Sequence, residues 1–212
     1  MFELPLFPLN TVLFPGMPLP LHIFEPRYRE MVQVCLEDER PFGVVLIRSG
    51  VAEGGPADPY EVGCVAEIVE VQRLEDGRIL LMTVGTERFR IRSLNYDNSY
   101  LMGTMEEFPF AEEAEEQLAQ ATNRLFPLVT EYLQILARSG NVEFDPSQMP
   151  TNPEDLAYLA AAAIQIEPEQ KQAFLENEKA TEAINQLARA YRRELALLRL
   201  MPKEDQGIFS LN

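Results

Sequence analysis

The chain has 212 residues, enough for one large domain or two small ones, and its 46% hydrophobic and 25% charged content is ordinary for a globular protein. The formal net charge is −16, with nine basic against 17 acidic residues in 1–110 and the same numbers in 111–212. Because nucleic acids and anionic membranes are bound by neutralising phosphates, this balance disfavours both as partners. We interpret the acidity as a contribution to solubility.

Two cysteines, Cys35 and Cys64, lie within apolar patterns and are predicted to be small buried side chains. One pair in a chain of this length is not a disulfide framework, so a reducing compartment fits. The first residues, MFELPLFPLN, lack the basic region of a signal peptide. The longest apolar run, 156–164, is far shorter than the ~20 residues of a membrane span. The expected location is therefore the cytoplasm.

A proline-rich stretch at 4–24, called the N-terminal ribbon below, opens the chain. Its prolines are Pro5, Pro8, Pro15, Pro18 and Pro20. Each proline fixes φ and removes a backbone donor, so the sequence predicts short edge strands broken by turns, and no long helix or central strand. Leu19, Leu21 and Ile23 alternate as in a strand, which predicts that the ribbon is threaded through a β core.

An amphipathic helix is predicted directly after the ribbon, because Pro26 suits a first helical position and Pro41 ends the pattern. The segments from 42 to 108 are predicted to be mostly β. Gly63 is expected at a bulge, Gly77 in a type I′ hairpin turn after Asp76, and Gly85 at a strand end. The predicted strands are 42–48, 60–74, 79–84, 89–94 and 100–106. The glycine-rich loop at 49–59 is expected to be mobile and is a candidate functional loop.

Residues 111–201 are predicted to form a bundle of four or five helices. The acidic run 112–116 is interpreted as the solvated start of the first helix, with a partner-binding patch as the alternative. Pro127 is expected to kink or divide that helix, which ends near Gly140. The remaining predicted segments are helices at 152–166, 168–175 and 180–201 and a tail at 202–212. The predicted domains are therefore 1–110, rich in strands, and 111–212, helical.

The sequence offers few catalytic groups. His22 is the only histidine, and a nucleophilic pair with Cys35 or Cys64 is conceivable, but neither cysteine has an activating helix-start or basic context. No GxxxxGK[ST], GxGxxG or GxSxG motif occurs. The only lysines are Lys171, Lys179 and Lys203. Ser210 is the one serine near any of them, which disfavours a Ser–Lys dyad, and no metal-ligand spacing is visible. We therefore predict no catalytic residue, metal or cofactor.

Candidate binding residues are the aromatic, apolar and charged side chains of the ribbon, its junction with the helix, and one later arginine. They are Phe14, Pro15, Met17, Pro18, His22, Phe24, Arg27, Tyr28 and Arg88. For Phe14 and Met17, core packing is the equal alternative, and for His22 a hydrogen-bonded buried position is favoured. Glu25 is predicted to pair with an arginine and to lock the junction. The glycines with predicted structural roles are Gly63, Gly77 and Gly85.

The segment PLFPLNTVLFPGMPLPLHIFEPRYREMV resembles the opening of the substrate-binding (N-terminal) domain of Lon-type ATP-dependent proteases. Further matches are 60–68 (YEVGCVAEI), 76–78 (DGR) and 84–89 (VGTERF), the last similar to the family's glycine–arginine–phenylalanine signature. The resemblance is specific over 2–92 and weaker over the helical part. It implies an α+β fold, with a PUA-like β pseudo-barrel and one helix followed by a helical bundle.

The resemblance also implies a role in recognising unfolded or tagged polypeptides for degradation. Lon enzymes carry an ATPase module and a Ser–Lys protease after this domain, and the sequence ends at Asn212 with neither. The expectation is a free-standing, non-enzymatic binding module of proteolysis or protein quality control, monomeric or weakly dimeric, with a separate ATPase or protease as a candidate partner. The alternatives are a hydrolase with a pocket around His22 and a PUA-like binder of small molecules or RNA.

Overall fold

The computed structural model describes residues 1–50 and 57–200, which form two compact units. The first unit contains residues 1–109 and 166–176, and the second contains 110–165 and the described residues from 177 onward. Part of the predicted loop at 49–59 and all of the predicted tail at 202–212 lie outside the described residues. The division into domains 1–110 and 111–212 stays a prediction, and residues 166–176 belong to the compact unit of the strands.

The regular structure of the described residues consists of seven strands, five α-helices and a short 3-10 helix at Pro146–Gln148. The strands are β1 (Phe2–Leu9), β2 (Pro18–Ile23), β3 (Phe42–Gly50), β4 (Ala57–Pro59), β5 (Val62–Arg73), β6 (Ile79–Asn95) and β7 (Leu101–Glu107). The helices are α1 (Pro26–Glu37), α2 (Glu115–Gly140), α3 (Pro153–Ala163), α4 (Pro168–Leu175) and α5 (Ala180–Leu200). The predicted α+β class is confirmed.

The strands form one sheet in the order β1-β7-β6-β5-β3-β4, with β2 paired to β6. A parallel pairing of β1 with β3 closes five of these strands into a ring, from which β2 and β4 branch. Helix α1 packs its apolar face into the core of this unit, where Met31, Val32 and Cys35 are at most 1% exposed. The helix begins at Pro26, as its position after an extended Glu25 predicts.

Strand β1 has partners on both sides although it contains Pro5 and Pro8, so the expectation of edge strands alone over 4–24 is wrong here. The register explains how the prolines are accommodated. Strand β7 pairs with residues 2–6 and β3 with residues 6–9, so Leu6 alone has a neighbour on each side. Each proline therefore has a partner strand on one side only, which a residue without an N–H tolerates.

Gly85 does not end a strand, contrary to the prediction, because β6 is 17 residues long, passes through Gly85 and joins the two strands expected at 79–84 and 89–94. Its role is to let the N-terminal ribbon approach closely. The amide of Gly16 donates to the Gly85 carbonyl at 2.8 Å, and the amide of Gly85 donates to the Met17 carbonyl at 3.0 Å. A Cβ at Gly85 would lie 2.2 Å from the Phe14 carbonyl oxygen, so only glycine fits.

The hairpin between β5 and β6 turns at Gly77, but it is not the expected type I′ turn. A type I′ turn centred on Asp76 and Gly77 needs a positive φ at both residues. Gly77 has φ +82, but Asp76 is not among the non-glycine residues with positive φ, which in the described part of the chain are Glu39 and Asn141. The Gly77 amide donates to the Leu74 carbonyl at 3.0 Å, which closes a type I turn followed by a left-handed glycine. Asp76 accepts a hydrogen bond from the Arg78 amide at 3.1 Å, which suits a right-handed conformation at that residue.

Gly63 lies in β5 where the strand passes close to its neighbours. A Cβ there would lie 2.5 Å from the Val44 carbonyl oxygen and 2.6 Å from the Phe89 ring. A register irregularity follows it between Cys64 and Ala66. Gly63 is therefore needed because β3 and the Phe89 ring approach it closely. The irregularity lies next to Gly63 and not at it.

In the second unit, helix α2 runs unbroken through Pro127, so the proline does not divide it. Buried residues on both sides of Pro127, such as Leu125 and Val129, pack into the core and outweigh its cost of about 3 kcal/mol or more. The Tyr132 hydroxyl accepts a hydrogen bond from the Gln165 amide at 3.1 Å. The helix ends at a left-handed Asn141.

The start of α3 follows its sequence signal, since the Asn152 side chain accepts hydrogen bonds from the amides of Glu154 and Asp155 at 2.8 and 3.2 Å.

Glu113, in the acidic run 112–116, has a structural role that the sequence did not predict. Glu113 accepts hydrogen bonds from the Thr181 amide at 3.0 Å and from its hydroxyl. It therefore holds the N-terminus of α5, where a negative charge is favourable.

Candidate functional site

The turn of the N-terminal ribbon does not present all of its candidate residues to solvent. Phe14 is 1% exposed and belongs to the core, so it cannot contact a partner in this structure. The hydrogen bonds that Gly85 exchanges with Gly16 and Met17 fix the turn that follows Phe14 against β6. Pro15 and Met17 are partly exposed, and Pro18 is exposed at the start of β2. Of this group, the last three remain accessible to a ligand.

Two other candidates, Tyr28 and Arg88, are buried and have structural contacts. Tyr28 is 5% exposed, with its ring centroid 4.2 Å from that of Phe7. Arg88 is 3% exposed, and its Nη1 donates to the Leu175 carbonyl at the end of α4 at 2.7 Å. The Phe108 ring lies 4.9 Å from its guanidinium carbon. The structure therefore corrects the assignment of both side chains to a binding surface.

Glu25 lies at the junction of ribbon and α1, where an ion pair was predicted. Arg27 Nε donates to its Oε2 at 3.0 Å, and the Arg27 guanidinium lies 4.5 Å from the centroid of the Tyr28 ring. Because the Glu25 side chain is only 16% exposed, this pair is partly shielded from solvent. Arg27 also lines a small cavity of about 100 Å³ with Tyr96 and Tyr100.

His22 and Phe24 are accessible, and they lie beside a groove on the outer face of β2, β6 and β5. His22 is exposed, so the buried position favoured from the sequence is wrong, and its ring lies 5.8 Å from that of Phe24, which is 46% exposed. The groove has a volume of about 370 Å³. Its described lining residues are Pro20, Leu21, His22, Glu70, Val71, Gln72, Leu80, Leu81 and Met82. We call it the outer groove.

The apolar floor of the outer groove comes from the alternation of β6. Leu81 and Thr83 point into the core and are buried, so Leu80 and Met82 face outward, and Leu80 is 37% exposed. The cross-strand register places His22 opposite Leu80 and Pro20 opposite Met82. Glu70 is the one formally charged residue among the described lining. The groove thus combines an apolar floor with an acidic and polar rim.

Sequence reasoning missed Leu80 and Met82. The sequence does contain a signal for them, because alternate residues of the run ILLMTV are apolar in both sets. If one face of this strand is buried, the other exposes apolar side chains. The choice of face could not be made, because it depends on where α1 packs. His22 and Phe24 were found as candidates, whereas the neighbours that make them part of a groove come from β5 and β6.

The two thiols are buried in the core of the first unit, Cys35 at 1% and Cys64 at 0% exposure. Burial raises the pKa of Cys35 to about 11, and burial likewise raises the pKa of Cys64 to about 12. Neither side chain therefore forms a thiolate near neutral pH, and the exposed His22 is no partner for a buried sulfur. The structure gives no support to a Cys–His nucleophile.

This burial predicts slow thiol chemistry in the native protein. At pH 8 we expect both cysteines to react with a chromogenic disulfide reagent about 100-fold or more slowly than in urea, because burial removes both access and thiolate. Single variants Cys35→Ser and Cys64→Ser assign the two rates. Reaction of either native thiol as fast as in urea would contradict the core assignment.

The family comparison agrees with this fold. The model of the ATP-dependent protease La (LON) substrate-binding domain matches residues 3–190, so the chain belongs to that family. It is 27% identical over 208 residues to the Lon protease of Anaeromyxobacter dehalogenans and 28% identical over 208 residues to Lon protease 2 of Myxococcus xanthus. Each alignment covers 97% of this chain but 25% of the relative. The chain thus spans about a quarter of the length of these proteases.

Two solved structures share the fold. A Lon N-terminal domain protein from Xanthomonas campestris aligns with a TM-score of 0.62 and 25% identity, over 95% of this chain and 100% of that one. The N-terminal domain of the Mycobacterium avium complex Lon protease aligns with a TM-score of 0.69 and 20% identity, over 90% and 98%. The predicted membership in the Lon N-terminal domain family is confirmed. The fold is that of Lon N-terminal domains.

Residues 1–50 and 57–200 contain neither a membrane-spanning helix nor a cluster of metal-ligating side chains. No helix there combines the length and the apolar character that crossing a membrane requires. Within the same residues, no group of three or more His, Cys, Asp or Glu side chains is placed to hold a metal ion.

Proposed function

We propose that this chain is a non-enzymatic recognition module that binds apolar segments of unfolded or tagged polypeptides and serves proteolysis or protein quality control. The observation that carries the proposal is the outer groove with the exposed Phe24 beside it. Apolar side chains that a folded chain leaves exposed together, with a polar rim, are typical of binding surfaces. Family membership supports the same class of ligand, since the matched domain is a substrate-binding domain.

The charge of the module favours some segments over others. The chain carries −16, and Glu70 lies on the rim of the outer groove. Segments in which apolar residues are flanked by lysine or arginine are therefore favoured, and acidic segments are disfavoured by repulsion. The same charge disfavours nucleic acid as a ligand. A separate ATPase or protease is a proposed partner, a cytoplasmic location is proposed, and the module is proposed to be a monomer or a weak dimer.

Binding to a permanently unfolded basic protein tests the proposal. Fluorescently labelled lysozyme, reduced and carbamidomethylated so that it cannot refold, is titrated with the protein, and native lysozyme is titrated in parallel. We expect binding of the unfolded form only. The double variant Phe24→Ser/Leu80→Ser is expected to weaken it about tenfold or more, because it removes two exposed apolar contacts that a ligand would bury.

A matched control comes from the second unit. Val142 and Leu197 are 64% and 52% exposed, so the double variant Val142→Ser/Leu197→Ser removes exposed apolar side chains that are not among the described lining residues of the outer groove. It is expected to bind unfolded lysozyme like the unmodified chain. Equal affinities of both double variants, or no binding of unfolded lysozyme by the unmodified chain, would contradict the proposal.

A further inference from the structure

The edge of β5 between residues 67 and 73 lacks a neighbouring strand on the side away from β6. Strand β3 pairs with β5 only from Phe42 opposite Ala66 to Val44 opposite Cys64. Beyond Ala66, β5 continues to Arg73 and is paired with β6 at every residue except Val69. In the described part of the chain, no strand continues β3 along that side. This edge therefore presents main-chain groups that another strand could use.

The gap beside this edge is a groove where an extension of β3 would lie. The chain that leads from α1 into β3 contains Glu39, with a left-handed φ of 50, and Pro41. It therefore comes from α1 and does not run alongside residues 67–73 of β5 as an extension of β3. The groove has a volume of about 400 Å³. Its described lining residues are Cys35, Leu36, Glu39, Arg40, Pro41, Glu67, Ile68, Val69 and Val71. We call it the edge groove.

The edge carries apolar side chains and few protective devices. Val69 is 59% exposed and Val71 39% exposed, and both line the edge groove. A register irregularity between Ile68 and Glu70 leaves Val69 outside regular pairing with β6, but no proline or lysine interrupts the edge. Strand β2, which also pairs with β6, differs from this edge, because it carries Pro18 and Pro20, and prolines block strand addition.

The charge of the edge groove indicates which kind of chain fits it. Glu39 and Glu67 line it, and the one arginine in the lining, Arg40, is paired with Asp38 at 3.4 Å. A segment with lysine or arginine next to apolar residues would complement these carboxylates. Extended backbone is required because the free groups belong to a strand edge.

We propose that residues 67–73 of β5 bind an extended polypeptide segment as an added strand, in line with β3, with alternate apolar side chains of the segment seated against Val69 and Val71. This inference deepens the proposed function, because it takes a polypeptide as the occupant and assigns main-chain hydrogen bonds as the source of affinity. Such binding depends on alternating apolar side chains and on flanking charge and does not need a fixed sequence. This suits a module that binds many different unfolded chains.

The test uses the full chain and a fluorescein-labelled nonapeptide in which valine and threonine alternate between terminal lysines. Two further peptides carry backbone N-methyl groups, one on the valines and the other on the threonines. In a strand, amides of alternate residues point to opposite sides, so only one set faces β5. We expect one methylated peptide to bind about tenfold or more weakly and the other to bind within about threefold of the unmodified peptide.

A protein variant locates the effect. Val69→Lys is expected to weaken the unmodified peptide about tenfold, because it removes an apolar contact and repels the terminal lysines. Val142→Lys, at a similarly exposed position in the second unit, is the matched control and should leave the affinity unchanged. Circular dichroism of both variants checks that the fold is retained.

The outcomes separate this inference from the proposed function. Equal affinities of the two methylated peptides, whether unchanged or equally reduced, overturn strand addition. If unfolded lysozyme binds but the nonapeptide does not, strand addition is overturned while the recognition function stands. If neither binds, both are overturned. If sedimentation shows a dimer that Val69→Lys dissociates, the edge belongs to a second copy of the chain, which overturns the proposed occupant.

Discussion

Replacing Gly85 by alanine is expected to lower the free energy of unfolding by about 3 kcal/mol or more. The added Cβ would lie 2.2 Å from the Phe14 carbonyl oxygen, a backbone atom that cannot move alone. Separating the ribbon from β6 would stretch the hydrogen bonds that Gly85 exchanges with Gly16 and Met17. Since domains of this kind are stable by about 5–15 kcal/mol, the loss is a large share of the total. Urea unfolding followed by circular dichroism measures it.

Gly16→Ala is the matched control for this variant. Gly16 lies in the same turn with φ +77, and no atom lies within 4 Å of the position its Cβ would take. Its cost is therefore the strain of a left-handed alanine alone, about 1–2 kcal/mol. If the two alanine variants unfold at the same urea concentration, close approach of the ribbon is not the reason for Gly85.

Arg88→Ala is expected to destabilise the protein by about 3 kcal/mol, because it removes a buried hydrogen bond to the Leu175 carbonyl and leaves a cavity beside Phe108. The Leu175 carbonyl belongs to the last turn of α4, where a positive charge is favourable. Hydrogen exchange of the amides in α4 should accelerate as well. Helix α4 is also held by the Gln172 side chain, which donates to the Val62 carbonyl at 2.9 Å.

Arg90→Ala separates the role of Arg88 from general loss of charge. The Arg90 guanidinium carbon lies 4.0 Å from the centroid of the same Phe108 ring, but its side chain is partly exposed, so its loss is expected to cost about 1 kcal/mol. Arg88→Lys should not restore stability, since an ammonium lacks the planar fork of a guanidinium. If Arg88→Ala leaves stability unchanged and abolishes binding of unfolded lysozyme, Arg88 is a binding residue, as the sequence indicated.

The candidate site shows how far local patterns reach. His22 and Phe24 were identified because an isolated histidine and an aromatic residue stand out in a proline-rich segment. Tyr28 was a candidate as an aromatic residue at the junction of the ribbon with α1, but it faces the core, since helix α1 presents that side to Phe7. The outer groove needed Leu80 and Glu70 as well, and nothing in the ribbon specifies which strands lie beside it.

The structure also changed the meaning of two glycines. Gly77 was predicted at a turn and is there, but its turn type depends on Asp76 satisfying the Arg78 amide. Gly85 was predicted to interrupt a strand, because glycine weakens strands in isolation. Pairing with β5 and β2 compensates for this weakness, and the strand continues.

By itself, the sequence determined the α+β class, the starts of α1 and α3, and the family. The helix starts depend on residues within one turn of helix, and the class and family depend on motifs that are continuous in the sequence. Tertiary structure alone decided the burial of Phe14 and Arg88, the continuity of β6, and the open edge of β5. The physical reason is distance along the chain. Arg88 meets Leu175 across 87 positions, and such contacts decide which face of an element is buried.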